Sequence, residues 1–381
     1  MRDKKKYIII FFITLMVGIV CMGIIKLLPS NEQKVKGKIE VLVNDDVYEY
    51  LLKCADKFMQ VNDKAIVSIK KIENKKGEIQ EEIDKSVLNK SEIIEANRMD
   101  YESLNTTNIQ DYNENKDIVN TYSKNFSDYR INQVIKDDKI IGIPLTSRPL
   151  ALYVRDDMLS KYGYSKESFN TWDDVITIGK DIYEKSNGKV RIINATGQDY
   201  NDLVDLIIMQ NLVDDTTENI KLVVEAKIKE LKDNNILNLQ DGGEFLARIS
   251  SINAMREIME LDVPCEWSCI NVPSNGFGAN KFFASEGSNL IVINQTNDNE
   301  KLITKFMTYV ITNNKEAVDY VKEGKFFSSY LYTYKNKNIE EKVKNFSEKS
   351  PLVVLSNIEE KAPVIENYDK YLEVKTQLRM N

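Results

Sequence analysis

The stretch that decides the fold is IEVLVNDDVYEYLLKCADKF, from Ile39 to Phe58. It begins with IEVLV, a short run rich in β-branched residues that is typical of a strand buried on both faces. After a polar turn, apolar side chains recur at the spacing of a helix with one buried face: Tyr48, Leu51, Leu52, Ala55, Phe58 and Met59. The run IVSIKKI at residues 66–72 is predicted to be a second strand. Strand, helix and strand in this order indicate two parallel strands joined by a right-handed crossover.

Strands and helices continue to alternate toward the C-terminus, which predicts a protein of the α/β class. Further strands are predicted in SEIIEA (91–96), in the two apolar runs of KIIGIPLTSRPLALYV (139–154), in INVP (270–273) and in NLIVIN (289–294). A helix is expected to begin after Thr171, which can cap it, with Asp174 completing a capping box. Other helices are predicted at 79–87, 200–210, 217–232, 243–260, 300–312 and 315–323, and in the charged C-terminal tail.

The chain has 381 residues, a formal net charge of −7 and no histidine. The absence of imidazole excludes serine–histidine and cysteine–histidine triads, histidine-ligated zinc or haem iron, and histidine proton shuttles. The length indicates two domains or one large bilobal fold, because single cores stop growing at roughly 250 to 300 residues. The acidic balance argues against nucleic-acid binding, which needs clustered lysine and arginine in excess. No metal or other cofactor is indicated.

The N-terminus has the pattern of a membrane anchor. Residues 1–6 (MRDKKK) form a basic tail, and residues 7–28 include 19 consecutive uncharged and mostly apolar residues, YIIIFFITLMVGIVCMGII. This run is long enough to cross a membrane, and it is longer than the apolar region of a cleaved signal, which is about 7 to 15 residues. The basic tail keeps the start of the chain in the cytoplasm. The main domain is therefore predicted to be extracellular, tethered to the cell membrane through a stalk at residues 29–37.

The four cysteines fall into three groups. A lipoprotein signal cleaved before Cys21 is an alternative to the anchor, with ordinary signal cleavage as a third interpretation; lipidation normally needs a small residue where Val20 stands. Cys54 lies in a segment with helical apolar spacing and is predicted to be a buried thiol. Cys265 and Cys269 form C-x3-C in PCEWSC, which leaves two interpretations open: a local disulfide, permitted outside the cell, or two free buried thiols.

Three stretches of the sequence resemble the bacterial extracellular solute-binding proteins of ABC importers, in the family that includes the maltose-binding proteins. The first is IEVLVNDDVYEYLLKCADKF, which is similar to the family's opening strand, polar turn and helix. The second is KIIGIPLTSRPLALYVRDDMLSKYGY, followed by TWDDVI (139–176). The third is INVPSNGFGANKFFASEGSNLIVINQTNDNEKLITKFMTYVIT (270–312). Their order and spacing carry the resemblance, which covers about residues 38–331.

The resemblance implies a two-lobed α/β fold of the periplasmic-binding-protein type (type II), preceded here by one N-terminal transmembrane helix. Each lobe would be a mostly parallel sheet flanked by helices. Lobe 1 would comprise residues 38–144 and 280–314, and lobe 2 would comprise residues 145–279 and 315–381. Such lobes close around a ligand that lies between them.

The implied function is capture of a small polar solute, either a carbohydrate or an anionic molecule, and its presentation to the permease of an ABC importer. Neither catalysis nor a cofactor is implied, and a monomer is expected. The alternative is an anchored ectodomain of the same fold that acts as a ligand sensor or as a protein-interaction module. A carboxylate-based hydrolase is disfavoured, because no acid pair stands out among the 59 acidic residues.

The resemblance places ligand contacts in loops outside the carboxyl ends of the strands. Asn44, Asp45 and Asp46 follow the first strand, where maltose-type relatives place ligand-contacting polar residues; carboxylates suit sugars because they accept from two hydroxyls at once. Capping of the following helix is the alternative role. Arg148 stands where maltose-binding relatives carry a sugar-contacting acidic residue. Its guanidinium would favour an anionic solute or form a salt bridge.

Further contacts are expected in EANRMDY, where relatives often offer an aromatic platform and this chain has Ala96 and Asn97 instead. Trp172 is expected in the core, whereas Trp267 is a candidate for the cleft. The remaining candidate binding residues are Asn97, Arg98, Asp100, Tyr101, Ser147, Trp267 and Phe277. The chain would cross between the lobes near Gly142 to Leu145, near Val272 to Asn280 and just after Thr312, and the expected hinge residues are Gly142, Pro144, Gly276 and Gly278.

Overall fold

The computed structural model describes residues 34–72, 92–98, 113–136, 138–212, 216–293 and 298–379. The strands in these ranges are β1 (Lys36–Val43), β2 (Lys64–Lys71), β3 (Ile93–Asn97), β4 (Ile135–Lys136), β5 (Lys139–Ile140), β6 (Gly142–Pro144), β7 (Thr146–Ser147), β8 (Ala151–Arg155), β9 (Val190–Asn194), β10 (Leu237–Asn238), β11 (Glu244–Ser250), β12 (Trp267–Asn271), β13 (Ser288–Val292) and β14 (Phe327–Ser328). The α-helices are α1 (Asp45–Val61), α2 (Asn113–Tyr122), α3 (Asp128–Asn132), α4 (Asp156–Leu159), α5 (Trp172–Lys185), α6 (Gly197–Gln210), α7 (Thr217–Asp233), α8 (Ile252–Glu260), α9 (Glu300–Thr312), α10 (Asn314–Lys322), α11 (Pro351–Lys361) and α12 (Tyr368–Arg379). Their alternation confirms the predicted α/β class.

The first sheet has the strand order β2-β1-β3-β13-β6. β1 is parallel to both β2 and β3, which confirms the parallel pair predicted from the opening strand, helix and strand. β13 is antiparallel to its neighbours β3 and β6. Four strands of this sheet therefore run in one direction, and β13 is reversed.

The second sheet repeats this arrangement with the order β10-β9-β11-β8-β12. β9 is parallel to β10 and β11, whereas β8 is antiparallel to β11 and β12. The reversed strand again occupies the fourth place. In both sheets it is the strand that the chain enters after leaving the other sheet. Each sheet is thus mostly parallel in strand direction, as predicted, but each also has one reversed strand that the sequence did not predict.

Apolar helix faces cover both sheets. On the first sheet α1 and α9 pack against each other, and α1 buries Val47, Tyr50, Leu51, Cys54, Ala55 and Phe58. This face is turned slightly from the predicted one, because Tyr48, Leu52 and Met59 are only partly buried at its edge. On the second sheet Trp172 is buried in the core at the start of α5, as predicted, and Thr171 and Asp174 form the predicted capping box.

The helix predicted at residues 243–260 is wrong over its first half and confirmed over residues 252–260. These residues form strand β11 and then helix α8, which begins after Ser251. β11 lies at the centre of the second sheet, between β9 and β8, and its Leu246, Ala247 and Ile249 are buried. Pairing with two neighbouring strands outweighs a local helical spacing, because strand formation depends strongly on cross-strand packing.

Two connections between the sheets run beside each other. Residues 145–150 lead from β6 to β8, and residues 272–287 lead from β12 to β13. The Ser285 N–H donates to the Arg148 carbonyl at 3.0 Å. The Leu150 N–H donates to the Phe283 carbonyl at 2.9 Å. We refer to these two segments as the first and second connections.

A third segment joins them at β14, which pairs with β7 of the first connection. Helix α10 precedes β14 and packs against α1, burying Ala317, Val318 and Val321. The chain therefore stays beside the first sheet throughout α10. The crossing predicted just after Thr312 stays a prediction.

The cysteines of the described residues are free thiols. Cys265 and Cys269 form no disulfide, so of the two interpretations of PCEWSC the free thiols are observed. Cys54 is fully buried as predicted, and burial raises the pKa of its thiol to about 11, which keeps it unreactive at neutral pH.

In the part of the chain that the structure describes, no helix is both long enough and apolar enough to cross a membrane. Residues 7–28 lie outside the described residues, and so does Cys21. The predictions of an anchor and of lipidation therefore stay predictions. The helix predicted at residues 79–87 also falls outside the described ranges.

Candidate functional site

A cavity of about 320 Å³ lies where the first sheet, the second sheet and the connections meet. We call it the central pocket. Its lining residues are Asn44, Asp46, Val47, Glu95, Asn97, Thr146, Ser147, Arg148, Ile252, Asn253, Glu286, Gly287, Ser288, Lys325, Phe326 and Phe327. The structure thus brings together five of the predicted binding residues, namely Asn44, Asp46, Asn97, Ser147 and Arg148.

The first-sheet wall of the central pocket is made where two parallel strands end. β1 ends at Val43 and β3 ends at Asn97, and the carboxyl ends of parallel strands open on one edge of a sheet. Asn44 is the N-cap residue of α1, but its side chain makes no capping hydrogen bond, so the capping role is not observed. Asp46 lies in the first turn of α1, where the helix dipole favours an anion. Polar side chains are therefore held at the pocket by the ends of strands rather than by a mobile loop.

Glu95 is the buried residue of this wall that the sequence analysis missed. It lies in β3 between β1 and β13, and its side chain is only 3% exposed. Its Oε2 accepts a hydrogen bond from the backbone N–H of Asn44 at 2.8 Å. Burial raises the pKa of Glu95 to about 7, although hydrogen bonds from Ser288 and Asn44 oppose the rise. The available signal was an acidic residue in the middle of the apolar run SEIIEA, which was predicted to be a strand.

Arg148, Asn253 and Glu286 line the other side of the pocket, and we call them, together with the buried charges of α6 behind them, the second-sheet wall. Arg148 already has a partner. Its Nη2 is 2.6 Å from both carboxyl oxygens of Asp202, which is fully buried on α6. Asp202 also accepts hydrogen bonds from Gln198 Nε2 at 2.9 Å and from Ser250 Oγ at 3.1 Å. Burial alone would lower the pKa of the Arg148 guanidinium, but the charge of Asp202 outweighs it and the pKa is raised. Of the two predicted roles for Arg148, the salt bridge is observed, while the residue also lines the pocket.

Asp202 belongs to a row of three buried aspartates on α6. Asp199, Asp202 and Asp205 recur every third residue, which places them near one another along the helix. Asp199 contacts Arg248 of β11 at 2.7 Å, and Asp205 contacts Lys375 of α12 at 2.8 Å. Each aspartate therefore pairs with a cation from a different element. The sequence analysis missed this row, although D-x2-D-x2-D inside the apolar segment DYNDLVDLII was a visible signal.

The row on α6 also reaches the second connection. Lys375 is 1% exposed and contacts both Asp205 and Glu286, and Glu286 lines the central pocket. Buried pairs of this kind hold groups in place, because removing one partner leaves an unpaired charge in a medium of low dielectric constant. The second-sheet wall is consequently a set of paired charges.

Side chains near the pocket tie the connections together. Thr146 Oγ1 and Ser288 Oγ are 2.8 Å apart, so the first connection contacts β13. Ser147 Oγ donates to the buried carboxylate of Glu359 on α11 at 2.5 Å, and Ser127 Oγ donates to the same carboxylate at 2.7 Å. The floor of the pocket thus depends on hydroxyl groups whose partners come from distant parts of the chain.

Glycines at the connections allow close backbone approach. A Cβ at Gly142 would lie 2.4 Å from the Leu290 carbonyl oxygen, and a Cβ at Gly287 would lie 2.2 Å from the Thr146 carbonyl oxygen. Gly276 and Gly278 have no heavy atom within 4 Å of such a Cβ, although the φ of +78° at Gly278 favours glycine. Gly287 was missed as a tightly packed position, and the sequence contains no local signal for it.

Several predicted binding residues lie apart from the central pocket. Asp45 is exposed and pairs with Lys71 at 2.8 Å, and the Arg98 guanidinium donates to the backbone carbonyls of Asn132 and Ile135. Phe277 is fully exposed on a turn. Asp100 and Tyr101 fall outside the described residues.

The prediction that Trp267 places its indole at the pocket is wrong. Its side chain is buried in the core, where the ring centroids of Trp267 and Phe245 are 6.4 Å apart. The Arg155 guanidinium lies 5.5 Å from the Trp267 ring centroid. Burial of the apolar ring accounts for the position of Trp267. A tryptophan within the C-x3-C segment carries no sequence pattern that predicts on which side of the sheet its indole lies.

Several solved structures that share this fold are named as solute-binding or sugar-binding proteins. An extracellular solute-binding protein of family 1 aligns with a TM-score of 0.67 and 12% identity, over 86% of this chain and 88% of that chain. The sugar-binding protein MalE from the phytopathogen Xanthomonas citri aligns with a TM-score of 0.68 and 12% identity, over 90% and 92%. Maltose-bound T. maritima MalE3 aligns with a TM-score of 0.63 and 14% identity, over 90% and 99%. The resemblance seen in the sequence is confirmed at the level of the fold.

Two curated proteins also match the sequence. The arabinooligosaccharide-binding protein of Halalkalibacterium halodurans is 25% identical over 215 residues, which are 50% of this chain and 47% of that protein. The lactose-binding protein of Rhizobium radiobacter is 29% identical over 72 residues, which are 18% and 17%. The chain thus matches about half the length of the first relative and less than a fifth of the second. No family model matches the chain. These relatives and structural neighbours are named as binding proteins, in agreement with the prediction that the protein is not an enzyme.

Proposed function

We propose that the protein is a solute-binding protein of an ABC importer that captures a small carbohydrate in the central pocket. The observation that supports this proposal is the convergence on one cavity of polar side chains from the first sheet, from the helix that follows β11 of the second sheet, and from the first connection. Asn97 and Ser288 lie on β3 and β13 of the first sheet, and Asn44 follows β1. Asn253 lies at the start of α8 beside the second sheet, and Thr146 comes from the first connection. Amide and hydroxyl groups are both donors and acceptors, so they match a ligand that is rich in hydroxyl groups.

The charges of the pocket favour a neutral carbohydrate over an anion. Asp46, Glu95 and Glu286 are acidic, and the guanidinium of Arg148 is shared with Asp202. An anionic solute would therefore meet more negative than available positive charge. The names of the relatives point the same way, because they refer to arabinooligosaccharides, lactose and maltose.

We further propose that the two sheets belong to two lobes and that the pocket is the cleft between them. Lobe 1 would contain residues 38–144 and 280–326, because α10 stays beside the first sheet, and lobe 2 would contain the remainder up to 381. A solute that contacts both lobes favours the closed arrangement by its differential affinity for that state. The connections at the floor of the pocket would act as the hinge.

Residues 7–28 would tether the domain outside the cell, and the captured solute would pass to the permease of the importer. The protein would act as a monomer. An anchored sensor or protein-interaction module with the same fold is the alternative, and a solute panel separates the two.

The test is a thermal-shift screen of the full chain, purified in a mild detergent, with lactose, maltose and arabinooligosaccharides. A ligand at 100 times its Kd should raise the free energy of unfolding by about 2.7 kcal/mol. Asn253→Ala, which shortens a pocket side chain on the second-sheet wall, should reduce the shift. Asn336→Ala, outside the pocket, is the matched control. An unchanged melting temperature with every neutral sugar, together with a shift by an anion such as citrate, would replace the carbohydrate by an anionic solute. No shift with any solute would favour the alternative.

A further inference from the structure

Glu95 differs from the buried carboxylates of the second-sheet wall, and unlike Glu359, which hydroxyl groups also hold, it lines the central pocket. Asp202 has Arg148, Asp205 has Lys375, and Glu286 also contacts Lys375. Within the ranges that the structure describes, Glu95 forms no ion pair, and its hydrogen-bond partners are Asn44 and Ser288. In the described part of the chain, the carboxylate of Glu95 is therefore held by N–H and O–H donors alone.

The other charged groups that line the central pocket do not neutralise the charge of Glu95. Asp46 on α1 adds a negative charge that raises the pKa of Glu95 further. Glu286 on the second connection is also acidic, Arg148 on the first connection is bound to Asp202, and Lys325 before β14 is exposed. The neighbouring strands β1 and β13 contribute Asn44 at the end of β1 and Ser288 within β13. Because burial disfavours the charged form, Glu95 changes protonation near neutral pH, where its pKa of about 7 lies.

We propose that Glu95 couples solute capture to proton release, because hydroxyl groups of the bound carbohydrate donate to its ionised carboxylate. This inference rests on the proposed function and identifies one residue that determines the affinity. A carboxylate accepts two or more hydrogen bonds, and donors to the charged form favour that form. A hydroxyl donor of the solute therefore adds to the hydrogen bonds from Asn44 and Ser288 and stabilises the ionised carboxylate, beside which the described residues place no cation.

The direction of the pH effect follows from linkage. Binding lowers the pKa of Glu95, so the bound protein holds fewer protons than the free protein at neutral pH. The affinity for the sugar is highest above the pKa of about 7 that Glu95 has in the free protein. It falls as the pH decreases toward the lower pKa that Glu95 has in the complex. Between pH 8 and pH 5.5 the affinity for a neutral sugar should fall by roughly tenfold or more, depending on the bound pKa.

The first experiment is calorimetric titration of the full chain with the sugar among lactose, maltose and arabinooligosaccharides that gives the largest thermal shift. Titration in phosphate and in Tris, which differ in ionisation enthalpy, measures proton release at pH 7. Glu95→Gln keeps the shape of the side chain but cannot ionise, so this variant should release no proton and should bind with the same affinity at pH 5.5 and pH 8. Asp45→Asn, at the same turn but outside the pocket, should retain the proton release and the pH dependence of the parent.

The second experiment needs no solute. The infrared difference spectrum between the parent and Glu95→Gln should contain the carbonyl stretch of a protonated carboxyl group below pH 6, and this band should disappear above pH 8. Sugar binding without proton release, or a band that is absent at pH 6, would overturn the coupling while the proposed function stands. Failure of every sugar to bind would overturn the proposed function and the coupling together, whatever the infrared result.

Discussion

On the second-sheet wall of the central pocket each buried aspartate of α6 contacts an arginine or a lysine, whereas on the first-sheet wall Glu95 contacts Asn44 and Ser288. The same chemical group, a buried carboxylate, thus has two different surroundings about one cavity. The paired carboxylates hold the elements that carry their partners. An unpaired carboxylate responds to protons and to donors that enter the pocket. The comparison teaches that buried carboxylates near one cavity can differ in whether a cation accompanies them, so burial alone does not fix the surroundings of an acid.

Removing a cation from the paired wall should have the largest effect. Lys375→Met removes the buried ammonium group that contacts both Asp205 and Glu286, so we expect a loss of about 3 to 5 kcal/mol in the free energy of unfolding. Urea denaturation measures the loss. Lys229→Met breaks a pair that is exposed on the surface of α7 and should change stability by no more than about 0.5 kcal/mol. Similar losses in the free energy of unfolding for both substitutions would mean that the ion pairs of the aspartate row on α6 do not stabilise the fold.

The unpaired wall should respond to pH. The pKa of Glu95 rises from 4.5 in the unfolded chain to about 7 in the folded protein, so between these values the folded state holds a proton that the unfolded state has lost. The stability that this proton provides is present below pH 4.5 and is lost as the pH rises to 7. Glu95→Gln has no ionisable group at this position, so it shows no such loss. The free energy of unfolding of the variant minus that of the parent should therefore increase by roughly 3 kcal/mol from pH 4.5 to pH 8. Urea denaturation across this range tests the prediction, and a constant difference would contradict it.

The close contact between the first and second connections should be sensitive to an added Cβ atom. Gly287→Ala places a methyl group 2.2 Å from the Thr146 carbonyl oxygen, so the connections must separate. We expect a loss of about 1 to 3 kcal/mol in stability, measured by thermal denaturation. Gly276→Ala, which meets no heavy atom within 4 Å, is the matched control and should be nearly neutral. Equal tolerance of both substitutions would show that the connections are not in close contact.

The smallest effect is expected at Asp45, which lies on the same turn as Asn44 and Asp46. Its side chain is 80% exposed and pairs with Lys71 outside the pocket. Asp45→Asn should therefore leave both the melting temperature and the sugar affinity unchanged, as measured by thermal shift and calorimetry. A clear loss of sugar affinity would show that Asp45 contacts the solute and that the first-sheet wall includes Asp45 as well as Glu95.

Local patterns predicted much of the fold. The strand, turn and helix of residues 39–58 and the helix at 300–312 are observed, because their apolar spacing and polar boundaries act within a few residues. Five binding candidates meet at the central pocket, because carboxyl ends of parallel strands share one edge of a sheet. The first half of the segment 243–260 was assigned wrongly, since the pairing of β11 with two distant strands leaves no local trace.

What the sequence by itself determined is the α/β order, the resemblance to solute-binding proteins and the polar turn at Asn44. Periodicity and short motifs are properties of neighbouring residues, so they can be read without coordinates. Only the tertiary structure decided which acids have cations. Asp202 and Arg148 are separated by 54 positions, and Lys375 lies 170 positions from Asp205. Whether a buried carboxylate is paired depends on residues that folding alone brings together, and for Glu95 folding supplies no such cation in the described part of the chain.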